Sequence, residues 1–291
     1  MGEKQINLGL IGWPLEHSLS PQIHQAALRE LGLKGKYCLY AIENNGLREQ
    51  AITDLLEHVA NEKIQGLNVT LPYKQIVLSH MASLTPAAAC IGAVNTIRLN
   101  KGLLQGENTD AAGFMNDLKE LPVASKANTL ILGAGGAARA VIFSLLEAGH
   151  LVTIAARDPQ KAQAVANSFS SIAREPIRVL PLESKALSAI KDDLDLLINA
   201  TPLGMSPHKD TCAWPKILTM PKHACVYDLV YTPANTMLIQ RAQLAGLPAR
   251  SGLGMLVEQA ALAFESWTKK TAPRSAMYQA AIDSIQKRNL R

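Results

Sequence analysis

Residues 129–140 read TLILGAGGAARA, and the predicted fold follows from this segment. Its first four residues are apolar, as in a strand that is buried on both faces of a sheet. Three glycines follow, and an alanine-rich helical segment begins directly after them. Such a turn leaves the first N–H groups of the helix free, and together with the helix dipole they favour a bound pyrophosphate. The stretch therefore predicts the phosphate loop of a nucleotide-binding domain.

The chain after this loop has the organisation of a dinucleotide-binding domain. Residues 151–155 predict a second buried strand, and strand-like and helix-like segments alternate from there to about Gly252. An ordinary strand–turn–helix connection explains the glycines alone, but it does not explain this alternation. We therefore predict a doubly wound α/β domain in which Gly133 makes the tight turn and Gly135 and Gly136 let the backbone approach the phosphates.

The residues after the second strand indicate which dinucleotide binds. An NAD site usually has an acidic residue there, which holds the ribose 2′-OH. Here the strand ends in Ala156, and Arg157 follows, with Lys161 four residues later. A cation at this position favours the 2′-phosphate of NADP. Asp158 leaves NAD open as the alternative, although Pro159 after it also suits a helix cap. We predict NADP as the cofactor.

Length and composition narrow the class of protein. The chain has 291 residues, enough for two domains with their own cores. Its formal net charge of +5 is not gathered in a run, and aromatic residues make up only 4% of the chain, so no nucleic-acid partner is expected. A modest positive balance suits small anionic ligands such as a carboxylate or a phosphate.

Cysteine and histidine patterns argue against a metal site. The four cysteines lie in neither metal nor disulfide spacing, and the seven histidines form no ligand motif. No apolar run approaches the ~18 residues of a membrane span, and the N-terminus lacks a signal-peptide pattern. We expect a cytoplasmic protein, a monomer or a homodimer, with no metal and no membrane partner.

Two serines follow the first predicted strand, residues 6–12. Ser18 and Ser20 lie in the loop after it, and Ser20 is expected to cap a helix that begins at Pro21. Taken alone, both serines have plain explanations, because capping and solvent-exposed serines are common in loops.

Residues 66–74, GLNVTLPYK, predict a short strand with Asn68 and Thr70 on one polar face. Pro72 ends the ladder and is expected to open a helix, which places Lys74 in its first turn. A lysine at this positive end of the helix dipole suits proton transfer, whereas a solvated surface lysine is the ordinary alternative.

Asp110 stands near the start of a later predicted helix. It is either an acid that complements the helix dipole or the partner that orients Lys74.

Two further segments have clear local signals. Before Asp110, residues 100–102 predict the turn of a hairpin. Further along, residues 199–205 leave a strand as a loop at the carboxyl end of the sheet, where ligands of such sheets bind.

Taken together, these segments resemble the shikimate dehydrogenase family, from Gly12 to about Trp267. Each motif is weak alone, but their joint order is specific. The stretches that carry the resemblance are GWPLEHSLSPQIH (12–24), GLNVTLPYK (66–74), GAVNT (92–96), GENTDAAG (106–113), the glycine loop, NATPLG (199–204), YDLVYTP (227–233) and GLGMLVEQ (252–259).

The resemblance implies a two-domain α/β enzyme of aromatic amino-acid (chorismate) biosynthesis that reversibly reduces 3-dehydroshikimate to shikimate with NADPH. It implies a discontinuous N-terminal α/β substrate domain, residues 1–109 and 252–291, and a Rossmann-type doubly wound NADP-binding domain, residues 110–251. Lys74 and Asp110 match the catalytic acid/base pair. The substrate-binding positions correspond to Ser18, Ser20, Asn68, Thr70, Asn95, Asp110, Tyr231 and Gln259. The cofactor-binding positions correspond to Gly133, Ala134, Gly135, Gly136, Ala137, Ala156, Arg157, Asp158, Lys161, Leu229 and Gly252.

Departures from the family pattern keep alternatives open. The family often has Asn-Arg-Thr where this chain has Ala-Arg-Asp at residues 156–158, and often arginine at the position of Lys161. A quinate/shikimate dehydrogenase that uses NAD is therefore the alternative, although the retained Asn-Val-Thr and Pro-x-Lys favour shikimate. A non-catalytic metabolite sensor is disfavoured, because it need not retain both Lys74 and Asp110. Another Rossmann dehydrogenase leaves the N-terminal motifs unexplained.

Overall fold

The computed structural model describes residues 5–43 and 45–289. The chain divides into two compact units. The first contains residues 1–113 and 257–291, and the second contains residues 114–256. The sequence places these boundaries at 109/110 and 251/252.

The secondary structure alternates strands and helices along the described chain. The strands are β1 (Ile6–Gly12), β2 (Gly35–Ala41), β3 (Gly66–Val69), β4 (Ser83–Leu84), β5 (Thr96–Asn100), β6 (Leu103–Glu107), β7 (Asn128–Leu132), β8 (Leu151–Ala156), β9 (Arg178–Pro181), β10 (Leu196–Asn199), β11 (Cys225–Asp228) and β12 (Ala249–Ser251). The α-helices are α1 (Ser20–Glu30), α2 (Arg48–Ala60), α3 (Pro86–Ile91), α4 (Thr109–Leu118), α5 (Gly136–Glu147), α6 (Pro159–Asn167), α7 (Ser184–Ser188), α8 (Met237–Leu244), α9 (Leu253–Thr268) and α10 (Arg274–Asn289). Short 3-10 helices lie at Ile76–His80 and Lys191–Asp193.

The first unit is built on a mixed sheet with the strand order β2-β1-β3-β5-β6-β4. Strand β1 runs parallel to β2 and β3, whereas β5 runs antiparallel to β3 and β6. The predicted hairpin turn is confirmed, because Lys101 and Gly102 join β5 to β6 with φ angles of 50° and 78°. Two consecutive positive φ angles are typical of the two-residue turns that match the twist of a hairpin.

The second unit confirms the doubly wound prediction. Its strands are all parallel in the order β12-β11-β10-β7-β8-β9. Counted from β7 as the first strand, this is the 3-2-1-4-5-6 order of a Rossmann sheet. Strand β7 lies at the centre with Leu130, Ile131 and Leu132 fully buried, which explains its continuous apolar run.

Helix α1 differs from the prediction at its start. It begins at Ser20 rather than Pro21. Its N-cap residue is Leu19, which makes no side-chain capping hydrogen bond. The prediction that Ser20 caps the helix is wrong, because Ser20 is itself the first residue of the helix. Its backbone N–H donates to Ser18 Oγ at 3.2 Å. Ser18 is therefore the serine that accepts a backbone hydrogen bond at this helix end.

No α-helix opens at Pro72, so this expectation is also wrong. Residues 71–75 form turns, and a 3-10 helix follows only at Ile76–His80. The Lys74 carbonyl accepts the Val94 N–H at 2.8 Å, and this long-range bond takes the acceptor that an α-helix starting here needs. Lys74 is thus held in a turn beside the segment that precedes β5.

His24 belongs to the core of the first unit. Its ring stacks on Tyr37, with centroids 4.3 Å apart and planes 4° from parallel. Neither ring nitrogen has a hydrogen-bond partner among the described residues. Burial lowers the pKa of His24 to about 3, so the ring is neutral at ordinary pH and serves as a packing group.

The described residues contain no helix that is long and apolar enough to span a bilayer. Within residues 5–43 and 45–289, no three His, Cys, Asp or Glu side chains are grouped in a way that holds a metal ion. The four cysteines, all of which lie in the described part of the chain, form no disulfide.

Candidate active site

Lys74 and Asp110 form an ion pair in the first unit. Lys74 Nζ donates to Asp110 Oδ2 at 2.6 Å. The lysine side chain is 21% exposed and the aspartate 12%, so the pair is largely removed from water while it remains accessible. The structure therefore brings together the two residues that the sequence nominates as an acid/base pair.

Asn95 holds the other side of the Asp110 carboxylate. Asn95 Nδ2 lies 2.8 Å from Asp110 Oδ1, 2.9 Å from Thr109 Oγ1 and 3.4 Å from Gln259 Oε1. Asn95 is buried, which excludes competing water. With one oxygen on Lys74 and the other on Asn95, the carboxylate has a fixed orientation.

Helix α4 presents Asp110 through its own cap. Asn108 Oδ1 accepts the backbone N–H groups of Asp110 at 3.1 Å and Ala111 at 3.4 Å. Asp110 therefore lies in the first turn, where the helix dipole favours a negative charge. Gly113 lies on the next turn, and a Cβ there would overlap the Gln259 backbone. The glycine thus allows Gln259 to approach this part of the site.

Asn68 is buried and hydrogen-bonded in a fixed orientation. Its Nδ2 donates to Asn95 O at 3.1 Å and to Thr96 Oγ1 at 3.2 Å, and its Oδ1 accepts the Tyr37 hydroxyl at 2.8 Å. The Ser20 side chain hydrogen-bonds the same hydroxyl. Because both amide hydrogens are used inside the protein, Asn68 is left to act through the second lone pair of Oδ1, as an acceptor.

Ser18 and Thr70 are half-buried at the ends of the loop and strand that carry them. Ser18 Oγ accepts the Ser20 N–H, so its own O–H remains available as a donor. Thr70 follows β3, and its N–H donates to Ile11 O at 2.8 Å. A Cβ at Gly12 would overlap the Thr70 methyl group, so this glycine makes room for the threonine.

The second unit contains a cleft of about 540 Å³ at the carboxyl ends of its strands. Gly133 has φ +104°, so the predicted tight turn is present and needs a glycine. A Cβ at Gly135 would meet no atom within 4 Å, which leaves that peptide open to the cleft. The predicted residues that line the cleft are Gly133, Ala134, Gly135, Ala156, Arg157, Asp158 and Lys161.

Asp158 is the N-cap of α6, as its position before Pro159 predicts. Its Oδ1 accepts the Lys161 N–H at 3.0 Å. This bond engages one carboxylate oxygen in the helix start. Arg157, the exposed cation next to it, lies on the lining of the cleft.

Five predicted residues of the second unit lie outside the lining of this cleft. Gly136 and Ala137 form the exposed first turn of α5. Leu229 N donates to Asn199 O at 2.9 Å, and Gly252 packs against the Leu229 carbonyl so closely that a Cβ has no room. Tyr231 is half-buried in the loop after β11.

A buried carboxylate, Asp228, joins the loops that follow β10 and β11. Its Oδ1 accepts Asn199 Nδ2 at 2.8 Å and Val230 N at 3.1 Å, and its Oδ2 accepts Thr236 Oγ1 at 2.6 Å. Asn199 Oδ1 in turn accepts Thr201 N at 3.0 Å. Burial raises the pKa of Asp228 to about 6 despite these donors.

Known proteins match most of the chain. Family models match residues 10–97 as the shikimate dehydrogenase substrate binding domain, 117–204 as shikimate / quinate 5-dehydrogenase and 252–282 as the shikimate 5′-dehydrogenase C-terminal domain. The shikimate dehydrogenase (NADP(+)) of Methanopyrus kandleri is 39% identical over 285 residues, which cover 96% of each chain. The chain belongs to the shikimate dehydrogenase family.

Solved structures of the family resemble this chain over nearly its whole length. The shikimate 5-dehydrogenase of Thermus thermophilus, in complex with NADP(H) and shikimate, has a TM-score of 0.84 and 38% identity, with 96% of this chain and 99% of that chain covered. The quinate dehydrogenase of Corynebacterium glutamicum, in complex with NAD, has a TM-score of 0.87 and 31% identity, with 96% of this chain and 100% of that chain covered.

The sequence placed the loop of residues 199–205 at the ligand-binding end of the sheet, but it nominated none of the individual residues of that loop. Thr201, Pro202 and Leu203 line the cleft, with Leu182 and Ala200. The position of residues 199–205 after a buried strand is a signal for this loop. Asp228 has the same signal, because it ends the neighbouring strand and pairs in register with Asn199. Tyr37 and Thr96 carry no such signal.

The raised pKa of Asp228 predicts a specific pH dependence of stability. The folded protein binds this proton more tightly than the unfolded chain, whose aspartates titrate near 3.8. The corresponding stability is present below about pH 4 and is lost as the pH rises to about 6. Relative to Asp228→Asn, which does not titrate, the wild-type free energy of unfolding should fall by about 2 kcal/mol over this range.

Urea denaturation of both proteins at several pH values between 4 and 7 measures this difference. Asp195→Asn is the matched control, because Asp195 is an exposed carboxylate at the opposite end of the same sheet, where it accepts the Asn128 N–H. A constant difference between wild type and Asp228→Asn contradicts the assigned pKa.

Proposed function

We propose that this chain catalyses the reversible reduction of 3-dehydroshikimate to shikimate with NADPH, with Lys74 and Asp110 as the acid/base pair. It is then an oxidoreductase that acts on a CH–OH group. The observation that carries the proposal is the 2.6 Å contact between Lys74 Nζ and Asp110 Oδ2, with Asn95 fixing the second carboxylate oxygen. Family membership supports the same activity, because the relatives are named shikimate dehydrogenase (NADP(+)).

The proton chemistry follows from this pair. Reduction of a ketone needs a proton at the oxygen while a hydride reaches the carbon, and NADPH supplies the hydride when bound. The Lys74 ammonium donates to the developing alkoxide, and Asp110 holds that ammonium in place. In the oxidation of shikimate, Lys74 accepts the hydroxyl proton. Asn95 keeps the carboxylate from rotating away during either step.

The second unit offers a site that fits NADP. The N–H groups at the start of α5 follow Gly135, whose open side leaves room for a pyrophosphate at the helix N-terminus. Arg157 and Lys161 line the same cleft and supply cations for a 2′-phosphate. Asp158 is engaged in capping α6, which favours NADP over NAD. Gly136, Ala137, Leu229 and Gly252 remain proposed contacts of the cofactor.

The first unit offers polar groups of the kind that a hydroxylated carboxylic acid requires. We assign the substrate carboxylate to Ser18 and Ser20 and the ring hydroxyls to Thr70 and the amides, with Asn68 as an acceptor. Gln259 and Tyr231 complete the proposed set. On this assignment, residues 1–109 and 252–291 form the substrate domain and residues 110–251 the NADP domain.

Initial rates with shikimate and with quinate, each against NADP⁺ and NAD⁺, test the proposal. We expect shikimate with NADP⁺ to give the highest kcat/KM. A preference for quinate with NAD⁺ would identify the alternative. A cytoplasmic location remains a prediction, supported by four cysteines that form no disulfide among the described residues, and cell fractionation tests it. A monomer or homodimer also remains a prediction, which light scattering tests.

Removal of the lysine should abolish the proton path. Lys74→Ala is expected to lower kcat by ~10²–10⁴, because a positioned proton-transfer group contributes about that much. Asp110→Asn should also lower kcat. The double variant should be little worse than the worse single one, because members of one catalytic unit act non-additively.

Steady-state kinetics on these variants measure the effect, and a fluorescence titration shows whether NADPH still binds. Lys63→Ala is the matched control, since Lys63 is exposed after α2. A kcat of Lys74→Ala within threefold of wild type would exclude the pair as the catalyst. A change in the shikimate KM alone would make Lys74 a binding residue.

Loss of Arg157 should change the cofactor preference. Arg157→Ala is expected to weaken NADP⁺ by ~1.5–3 kcal/mol, roughly ten- to a hundredfold, since it removes a charged hydrogen bond to the 2′-phosphate. NAD⁺ should be almost unaffected. Arg178→Ala, at an exposed arginine of β9, is the control. Equal losses for both dinucleotides, or a wild-type preference for NAD⁺, would remove Arg157 from this role.

A further inference from the structure

Arg288 connects the last helix to the loop that carries the proposed carboxylate-binding serines. It lies in the last turn of α10, within the first unit. One guanidinium nitrogen donates to His17 O at 2.7 Å, and the other donates to Ser18 O at 3.0 Å. A single side chain therefore holds two successive carbonyl groups of a segment 270 residues away in the sequence.

The Ser18 peptide is held on both sides. Its N–H donates to Leu15 O at 3.0 Å, and its carbonyl accepts from Arg288. The Ser18 side-chain oxygen accepts the Ser20 N–H, which begins α1. Backbone and side chain are thus both restrained, and the remaining O–H of Ser18 has a limited set of directions. Without Arg288, the carbonyl groups of His17 and Ser18 lose these two hydrogen bonds to α10.

Arg288 also brings a positive charge to the Ser18 peptide. The side chains assigned to the substrate carboxylate, Ser18 and Ser20, are neutral hydroxyls, which stabilise an anion less than a cation does. A guanidinium is always protonated in a protein and carries its charge on a planar fork. Arg288 places this charge on the peptide of Ser18 itself.

We propose that Arg288 is a positioning residue for substrate recognition: it orients the Ser18 loop and adds positive charge beside the carboxylate site. This inference rests on the proposed function, because it takes the substrate to be an anionic carboxylate. Arg288 lies beyond residue 282, where the match to the C-terminal family model ends.

The test is Arg288→Met, which keeps an unbranched, largely aliphatic side chain and removes the guanidinium with its charge and donors. We expect the KM for shikimate to rise by about three- to tenfold, as for a coupled contact, while kcat and the KM for NADP⁺ stay within twofold of wild type. Lys287→Met is the matched control, because it removes one charge from the neighbouring exposed position of α10. It should leave the shikimate KM unchanged.

Two further measurements separate recognition from simple stabilisation. The methyl ester of shikimate has no carboxylate charge but can still accept from Ser18, so its inhibition constant, measured against shikimate, should rise less in Arg288→Met than the shikimate KM does. Combined with Ser18→Ala, the arginine variant should add little to the loss of the serine alone, because both act on one contact.

The outcomes are distinct from those that test the activity. If the wild-type protein does not oxidise shikimate, the proposed function fails before any variant is made. If it does, a shikimate KM of Arg288→Met within 1.5-fold of wild type overturns the role of Arg288. Equal losses for the ester, or fully additive losses with Ser18→Ala, also overturn it.

Discussion

The hydrogen bonds of Asn95 are the constraint on which the proposed catalytic pair depends. Its backbone N–H donates to Glu107 O at 3.0 Å, and its carbonyl accepts Val69 N at 2.8 Å, so Asn95 continues the sheet between two strands. Its side chain accepts Thr109 N at 2.8 Å and contacts Asp110. One buried amide therefore fixes both the start of α4 and the orientation of the carboxylate. The Lys74 carbonyl accepts the Val94 N–H, so Lys74 is held by the same segment.

The second unit uses the same device at the carboxyl end of its sheet. Asn199 and Asp228 end neighbouring parallel strands in register, and their side chains bond to each other. Each side chain also accepts a hydrogen bond from the segment that follows its own strand. Asn199 accepts the Thr201 N–H, and Asp228 accepts the Thr236 hydroxyl. In a parallel sheet the ligand-binding loops leave from this edge. A polar pair at the strand ends therefore gives these two loops a common, buried origin.

The sequence was informative wherever local physics decides the structure. The glycine loop, the hairpin turn at Lys101 and Gly102 and the Asp158 cap each depend on residues within a few positions of each other. It failed where a distant partner took a backbone group. Pro72 has the local character of a helix start, but the Lys74 carbonyl is bonded to Val94. Ser20 has the character of a cap, but its N–H is bonded to Ser18 Oγ, and the helix starts one residue earlier.

The site shows the same division between local and distant information. Motif residues such as Lys74, Asp110 and Asn95 were found because the resemblance names them, but a motif does not state which atoms remain available. That depends on partners elsewhere in the chain. Asn95 O and Thr96 Oγ1 accept both amide hydrogens of Asn68, and Tyr37 donates to its Oδ1, so Asn68 has only acceptor capacity left. None of these three partners belongs to the motif of residues 66–74. The donor or acceptor role of a binding residue is therefore a property of its surroundings, and only the folded structure supplies them.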